Sequence, residues 1–597
     1  MIKQKERCEI EEEYTWDLTK IFKNNDEYIK SLNDVRSEIG KITSFKGKIL
    51  ESSETLLSFL ELSDELERKL YKLYYYAHLK LDEDTTNTTS QELEGMITNL
   101  LQEYSLLTSF VLPELMQGDY NQVLSFIEQN EELRKYQFNL EDIYRYKSHS
   151  LNNDEEKTLS MLSKSLDNAS STFEALTDAD ISFNPIIVDG KKTLLTESNY
   201  NIYIRSQDRS VRRQAFKRLL TTYGSYKNTL ASTFQGQVDC LVSLAKLKKF
   251  SSSLEASLFH DNLDTDIYNN LIETINKNMN TIYKYYDLKR HVLGVSKLHL
   301  YDVYTPMVKE NDRIYTFNDA KNIAFSALKV LGDDYLHNLQ KAFDERWIDV
   351  YSNKGKRTGA YSSGFYDTNP YLLLNWTDRY EDLTTLVHEL GHSMHTYYSC
   401  HNNPYNLSSY NIFVAEVAST VNELLLVHYM LEHSPDNDKL FFINQLLELY
   451  KSTIYRQVMF AEFERNMHAD YEKGVILTNE YLSSKYYELV KKYFGPRVFI
   501  DEEIKNEWMR IPHFYYNFYV YKYAVGLSSA TKIVNDILSH KEGAVENYLA
   551  FLKTGGSMYP KDELEVCGVS VLDEKLYLEA IQTFDKYIDM FSDILKK

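Results

Sequence analysis

Residues 378–395 read DRYEDLTTLVHELGHSMH. Asp378 with Glu381 three residues later predicts a helix start. Beyond it Leu383, Leu386, Val387, Leu390 and Met394 recur at helical period. At about 100° per residue they cluster within roughly 50° of one line on the helix. His388 and His392 fall roughly 140–180° away from that line. One face is therefore buried and the other presents two imidazoles one turn apart. Histidines at i and i+4 can reach one zinc ion, and Glu389 lies beside them, placed to take a proton from a metal-activated water. The amphipathic setting weighs against a chance HExxH match.

A hydrolytic zinc site needs a third protein ligand and one open position. The extended pattern HExxHxxGxxH is excluded, because its Gly slot is His395 and its last His slot is Tyr398. His395 shares the face of His388 and His392, but a third ligand on the same two turns is poorly placed. It is expected behind the ligands or in a structural place. Residues 399–411 break the helix, and a new one is expected from Ile412 through Glu423. There Phe413, Val417, Val421, Leu424 and His428 trace one face, with Glu416 and Glu423 together roughly 130° from it. The connection is long enough to fold this helix back and bring Glu416 to the metal. The alternative for Glu416 is a solvated carboxylate. Glu423, two turns on, is a candidate to orient a ligating imidazole.

Upstream, Ile348-Asp349-Val350-Tyr351, a turn at Asn353–Lys356, Gly359-Ala360-Tyr361 and Tyr371–Asn375 predict a small sheet just before the metal helix. An exposed edge strand can hold an extended peptide by main-chain hydrogen bonds. Further back, Ile186-Ile187-Val188, Asp189-Gly190 and Thr193-Leu194-Leu195 predict a hairpin. The rest reads as helices, among them Ser210 to Leu247, and Leu56, Leu57, Leu60, Leu62 and Leu66 fall near helical spacing. The lobe boundary is placed at this hairpin, giving a helical N-terminal lobe over 1–190 and a catalytic region over 191–597.

Only nine Pro and 20 Gly occur in 597 residues, which favours a mostly helical protein of at least two lobes. Net charge is −21, against nucleic acid as a partner, since its binding needs clustered Lys and Arg. The four cysteines, Cys8, Cys240, Cys400 and Cys567, lie far apart and give neither a disulfide framework nor a thiolate site. No apolar leader and no run of 18 apolar residues is present, so no membrane partner and a cytoplasmic location are expected.

HELGHSMH (388–395), FVAEVASTVNE (413–423) and IPHFYYNFYVYKYA (511–524) closely resemble oligoendopeptidase F, a bacterial branch of the thimet oligopeptidase (M3) family of zinc peptidases. GKRTGAYSSGF (355–365) and FLKTGGSMYP (551–560) look like that branch too. The resemblance spans roughly residues 200–585, with a weaker N-terminal part. It implies a mainly α, two-lobed helical shell around a deep substrate channel, with one Zn2+ on the channel floor. It implies cleavage of internal bonds in short peptides, with His388, His392 and Glu416 as ligands and Glu389 as general base. By itself the segment Pro512–Tyr521 reads as an aromatic core patch with a stray His. The resemblance instead implies that His513 and a tyrosine there meet substrate and oxyanion, with Tyr521 the best match for the donor and Tyr515 second. Tyr515, Tyr519 and Gly359 are then substrate contacts.

Two rivals remain at this point. A helical zinc carboxypeptidase would need a cation for the substrate's C-terminal carboxylate, for which Arg510 or Lys522 could serve. A non-enzymatic peptide-binding protein with a vestigial site would be expected to have lost a ligand or the base.

Overall fold

The computed structural model describes residues 4–309 and 313–596. Helix makes up 72% and strand 3%, so the protein is mainly α with small sheets. By its contacts the chain divides into two compact units interleaved in sequence. The first comprises Met1–Ser150, Asp312–Tyr429 and Ile533–Val569, and the second Leu151–Asn311, Met430–Lys532 and Ser570–Lys597. The division expected at 190/191 falls inside the second unit.

In the first unit the helix Ser53–Glu83 is capped by Ser52, whose hydroxyl accepts from the Thr55 amide. Leu56, Phe59, Leu66, Leu70, Leu73 and Ala77 form its buried row. The sheet has three strands: β1 (Ile348–Asp349), β2 (Tyr361–Ser363) and β3 (Tyr371–Leu373). The fully buried β3 is central, parallel to β1 and antiparallel to β2, which leaves β2 at the edge. Between β1 and β2 the chain turns where expected, with the Lys356 amide donating to Asn353 O and Gly355 at φ +78°.

Helix α1 spans Tyr380–Asn402 and α2 spans Ile412–His433. The start of α1 differs from expectation. Asp378 lies outside the helix at φ +64°. Asp382, not Glu381, does the capping: its carboxylate accepts from the Thr377 and Arg379 amides at 2.8 and 2.9 Å. Among the described residues α2 is the one helix long and apolar enough to cross a membrane, but 67% of its apolar window is buried in the protein.

In the second unit the strands Ile186–Val188 and Lys191–Thr193 pair antiparallel. Asp189 and Gly190 between them are at φ +49° and +75°, the left-handed pair that a two-residue hairpin turn requires. The helical stretch expected from Ser210 to Leu247 forms two helices, Arg209–Ser225 and Lys227–Leu247, which meet at Tyr226.

Candidate metal and catalytic site

Gly391 is what lets α1 and α2 approach. A Cβ there would sit 2.6 Å from Ser419 Cα and 2.8 Å from Ala418 O, both backbone atoms that cannot swing away. One turn along, Asn422 Nδ2 donates to Val387 O at 3.2 Å. This crossing brings the acidic side of α2 onto the two imidazoles. His388 Nε2 and His392 Nε2 are 3.1 Å apart. Glu416 Oε2 lies 3.5 Å from the first and 3.6 Å from the second.

The triangle fits a metal ion. Donors about 2.0–2.1 Å from a tetrahedral centre stand about 3.3–3.4 Å from one another. The ring of His388 is oriented for this, because its Nδ1 is hydrogen-bonded to the Glu423 carboxylate. A carboxylate only accepts, so Nδ1 carries the proton and Nε2 keeps its lone pair. Ser419 Oγ donates to Glu416 Oε2 at 3.2 Å and steadies the third donor.

The charges favour a cation here. Burial would depress the His388 imidazole, but Glu423, by hydrogen bond and charge, with Glu389 and Glu416 raises it to about 8. Contact with His392 outweighs burial at Glu416 and, with the charges of both imidazoles, pulls that carboxyl down to about 2. Burial pushes Glu389 up, while His388, His392 and the Ser362 amide pull it down.

That amide belongs to the edge strand. Leu372 turns its N–H away from β2, to Trp347 O, so the ladder bonds between β2 and β3 fall to the flanking pairs, Tyr361 with Leu373 and Ser363 with Tyr371. The Ser362 N–H points off the free edge on the side of Glu389. The free main-chain groups of β2 therefore lie beside Glu389. The Ser362 hydroxyl meets Ser393 Oγ of α1 at 2.7 Å, and Ser393 Oγ donates to Glu389 O at 3.0 Å. Gly359, two residues before β2, is exposed at φ +88° with open space around it.

His395 takes no part in this network. It is fully buried, stacked on Tyr410 at 3.7 Å, and neither ring nitrogen has a hydrogen-bond partner. Burial and the charge of His392 hold it at about 3, so it is a neutral packing ring and not a support for a ligand.

The aromatic segment lies in the second unit. Gln237 Nε2 donates to Tyr515 O at 3.2 Å, and Ser257 Oγ to Asn517 O at 2.8 Å. Asn517 and Phe518 are left-handed, at φ +52° and +60°, and the Phe518 amide donates to buried Glu464 at 2.7 Å. Two expected substrate contacts face inward. Tyr515 is buried, stacked on Phe173 at 4.3 Å, with its hydroxyl 2.9 Å from Thr233 Oγ1. Tyr521 is 1% exposed and packs on Tyr268. Burial, with the charges of Asp261 and Tyr577, lifts its phenol well above the usual value. His513 is half-buried and held below its usual value by burial and by Arg456. Around it stand Tyr516 and Tyr523, with ring centroids 5.6 and 6.0 Å away, and Tyr519 packs on Tyr523 at 5.3 Å. Tyr516 is exposed, while Tyr519 and Tyr523 are partly so.

Residues 202–583, more than half the chain, match Peptidase family M3, and residues 114–183 match the family described as Oligopeptidase F. The chain belongs to peptidase family M3. It is 40% identical to Oligopeptidase PepF of Bacillus subtilis, over 99% of this chain and 89% of that one. It is 37% identical to Group B oligopeptidase PepB of Streptococcus agalactiae, over 99% and 98%. Among solved structures, a putative peptidase from Chlamydophila abortus matches with a TM-score of 0.93 at 36% identity, over 99% of this chain and 100% of that one. Oligoendopeptidase-F from Enterococcus faecium matches with a TM-score of 0.73 at 32% identity, over 96% and 99%. As an M3 member the chain is a metallo-oligopeptidase, and its likeness to oligoendopeptidase F runs its full length.

Within this M3 peptidase, Gly391, Ser419 and Ser393 are site residues that helical periodicity does not reveal. Gly391 sits inside the HExxH pattern, but what it makes room for is on another helix. Glu423→Ala is expected to leave the three donors in place and weaken metal binding about 10–100-fold, because His388 loses the partner that fixes its ring. Titration of the purified variant with zinc against a competing chelator checks this.

Proposed function

We propose that the chain is a zinc-dependent endopeptidase that hydrolyses internal bonds of short peptides. The observation that carries this is the convergence of His388, His392 and Glu416 on one point, with Glu389 beside them under the edge-strand amide of Ser362. Two imidazoles and one carboxylate are the donor set of hydrolytic zinc sites, which keep a fourth position open. A zinc ion held there would supply Lewis acidity toward a carbonyl and toward water.

The chain's own residues do the rest. A peptide lies along the free edge of β2 and is held by main-chain hydrogen bonds. Glu389 takes the proton of the attacking water and later passes it to the leaving amine. Its burial raises its proton affinity, which suits a group that must both take and return a proton. Ser362 N–H holds the carboxylate in line, and Glu423 keeps His388 in the ligating tautomer.

The likeness of the His513 segment to oligoendopeptidase F supports one of its phenols as donor to the oxyanion that develops on the scissile carbonyl. Tyr521, favoured from sequence, is fully buried among Tyr268, Asp261 and Tyr577. A donor must be reachable by substrate, so Tyr523, grouped with His513, replaces it as the candidate. Tyr523→Phe is expected to lower kcat about 10²–10³-fold with little change in KM. Tyr521→Phe should instead alter thermal stability, and steady-state kinetics on the two variants separate them.

The carboxypeptidase alternative loses its two candidate cations. Arg510 is forked on Glu197 at 3.2 and 2.6 Å, and Lys522 pairs with Asp261 at 2.7 Å. The division into 1–190 and 191–597 is kept as an evolutionary one, since the two family matches meet near it. A reducing, cytoplasmic location belongs to this reading, supported by the wide sequence spacing of Cys8, Cys240, Cys400 and Cys567, which forms no disulfide framework pattern. Mass spectrometry of products from a library of short peptides tests the reading. Internal cuts are expected, and stepwise release of single C-terminal residues would contradict it.

A further inference from the structure

We infer that Arg357 is a specificity residue that binds a carboxylate of the peptide on the C-terminal side of the scissile bond. This rests on the endopeptidase reading above and adds the group that orients the substrate.

Arg357 lies at the mouth of the edge strand. Residues 357–360 are all exposed, and Gly359 has no atom within 4 Å of where a Cβ would stand. The backbone of this lip is fixed, because Asn375 Nδ2 donates to Arg357 O at 3.0 Å and to Gly359 O at 2.8 Å. The side chain is anchored from behind. Arg357 Nη1 donates to Asp82 Oδ2 at 3.3 Å, and the Arg357 amide donates to Asp82 O at 3.0 Å. The Asp82 side chain is wholly buried, whereas that of Arg357 is 49% exposed. The same carboxylate takes the hydroxyl of Tyr361, in β2, at 2.7 Å. Asp82 thus ties the cation to the strand that the substrate is to follow.

A guanidinium has five N–H donors in a planar fork, and Asp82 engages one of them. The others suit a second carboxylate, by the charge-assisted pairing that makes Arg preferred for such groups. Charge also sets the direction of the peptide. On a strand antiparallel to β2, the residues after the scissile bond pass the N-terminal end of β2, where Arg357 stands. A parallel strand would bring the peptide's cationic amino end there instead. From Ser362, beside Glu389, back to Gly359 is about 10 Å at 3.3 Å per residue. The carboxylate therefore lies a few residues beyond the scissile bond, not at its first residue, in keeping with internal cleavage of short chains.

Two sources offer this chemistry, the C-terminal carboxylate and an acidic side chain. The test is binding to the zinc-loaded Glu389→Gln protein, read by fluorescence anisotropy without turnover. The probes are a short labelled peptide of neutral side chains as free acid, the same peptide as C-terminal amide, and an amide carrying Glu near its C-terminus. The free acid is expected to bind about 10–100-fold tighter than the plain amide. Adding Arg357→Ala should bring it to the level of the amide and leave the amide unchanged. If the Glu-containing amide also binds tightly and loses this with Arg357, the site takes either carboxylate; if not, it takes the C-terminus.

An acid-to-amide ratio unchanged by Arg357→Ala overturns the inference. Should that variant fail to fold, Arg357→Lys, which keeps the charge beside Asp82 but loses the fork, must still lower the ratio severalfold. An unchanged ratio there overturns it equally. Lack of peptide hydrolysis by the unmodified enzyme would count against the proposed function instead, and the binding measurement would stand apart from it.

Discussion

Glu389→Gln is expected to lower kcat on a short peptide by about 10²–10⁴-fold while the protein keeps its metal. Gln has the shape of Glu and can still accept from the Ser362 amide, but it cannot take a proton from water. Glu389 is not among the three converging donors, His388, His392 and Glu416, so metal affinity should hold. Burial has already raised the cost of ionising Glu389, so the neutral amide should not destabilise the fold. Parallel measurement of kcat and of metal content checks both halves. Loss of metal along with activity would place Glu389 among the ligands, and activity within tenfold of the parent would remove it as the base.

The second large effect is expected at the third donor. Glu416→Ala should weaken metal binding by more than about 100-fold, beyond the 10–100-fold typical of residues behind the ligands. Turnover should fall with it. Glu416 suits the test because its side chain is 50% exposed, so its removal should not unfold α2. A ligand that binds only the folded chain raises its melting temperature. Zinc should therefore raise the melting temperature of the parent and of Glu389→Gln, but not of Glu416→Ala at the same zinc concentration. A full zinc response in Glu416→Ala would mean that the metal is held elsewhere.

Much of this site was legible because both halves lie on helices of regular period. The apolar row from Leu383 to Met394 fixes which way His388 and His392 face. The seven-residue spacing of Glu416 and Glu423 puts both on one side of α2, where Glu416 meets both imidazoles of α1 and Glu423 meets that of His388. The Asp189-Gly190 hairpin was legible for another reason, since its two left-handed residues announce the turn.

The rest depended on contacts that spacing does not encode. Strands of two or three residues carry no record of their order, so the edge position of β2 came only from its pairing with β3. Gly391 looks like an ordinary helical residue until the backbone of Ser419 is found against it. Asp82 lies in a stretch that shows no chemistry of its own, yet its carboxylate holds Tyr361 and Arg357 from nearly 280 positions away in the chain. The motif match that favours Tyr521, with Tyr515 second, runs across Asn517 and Phe518. Those two residues are left-handed, and they break the regular phase that would say which phenols face outward. Two lobes are expected from chain length, but a single boundary at 190/191 does not separate the two units, because each gathers segments from three parts of the chain.

The most direct test of the central claim is metal stoichiometry together with hydrolysis of a short peptide, before and after removal of metal. The account predicts one zinc ion per chain, loss of hydrolysis on dialysis against a chelator, and its return when about one equivalent of zinc is added back. Undiminished hydrolysis by a chain shown to contain no metal would contradict it.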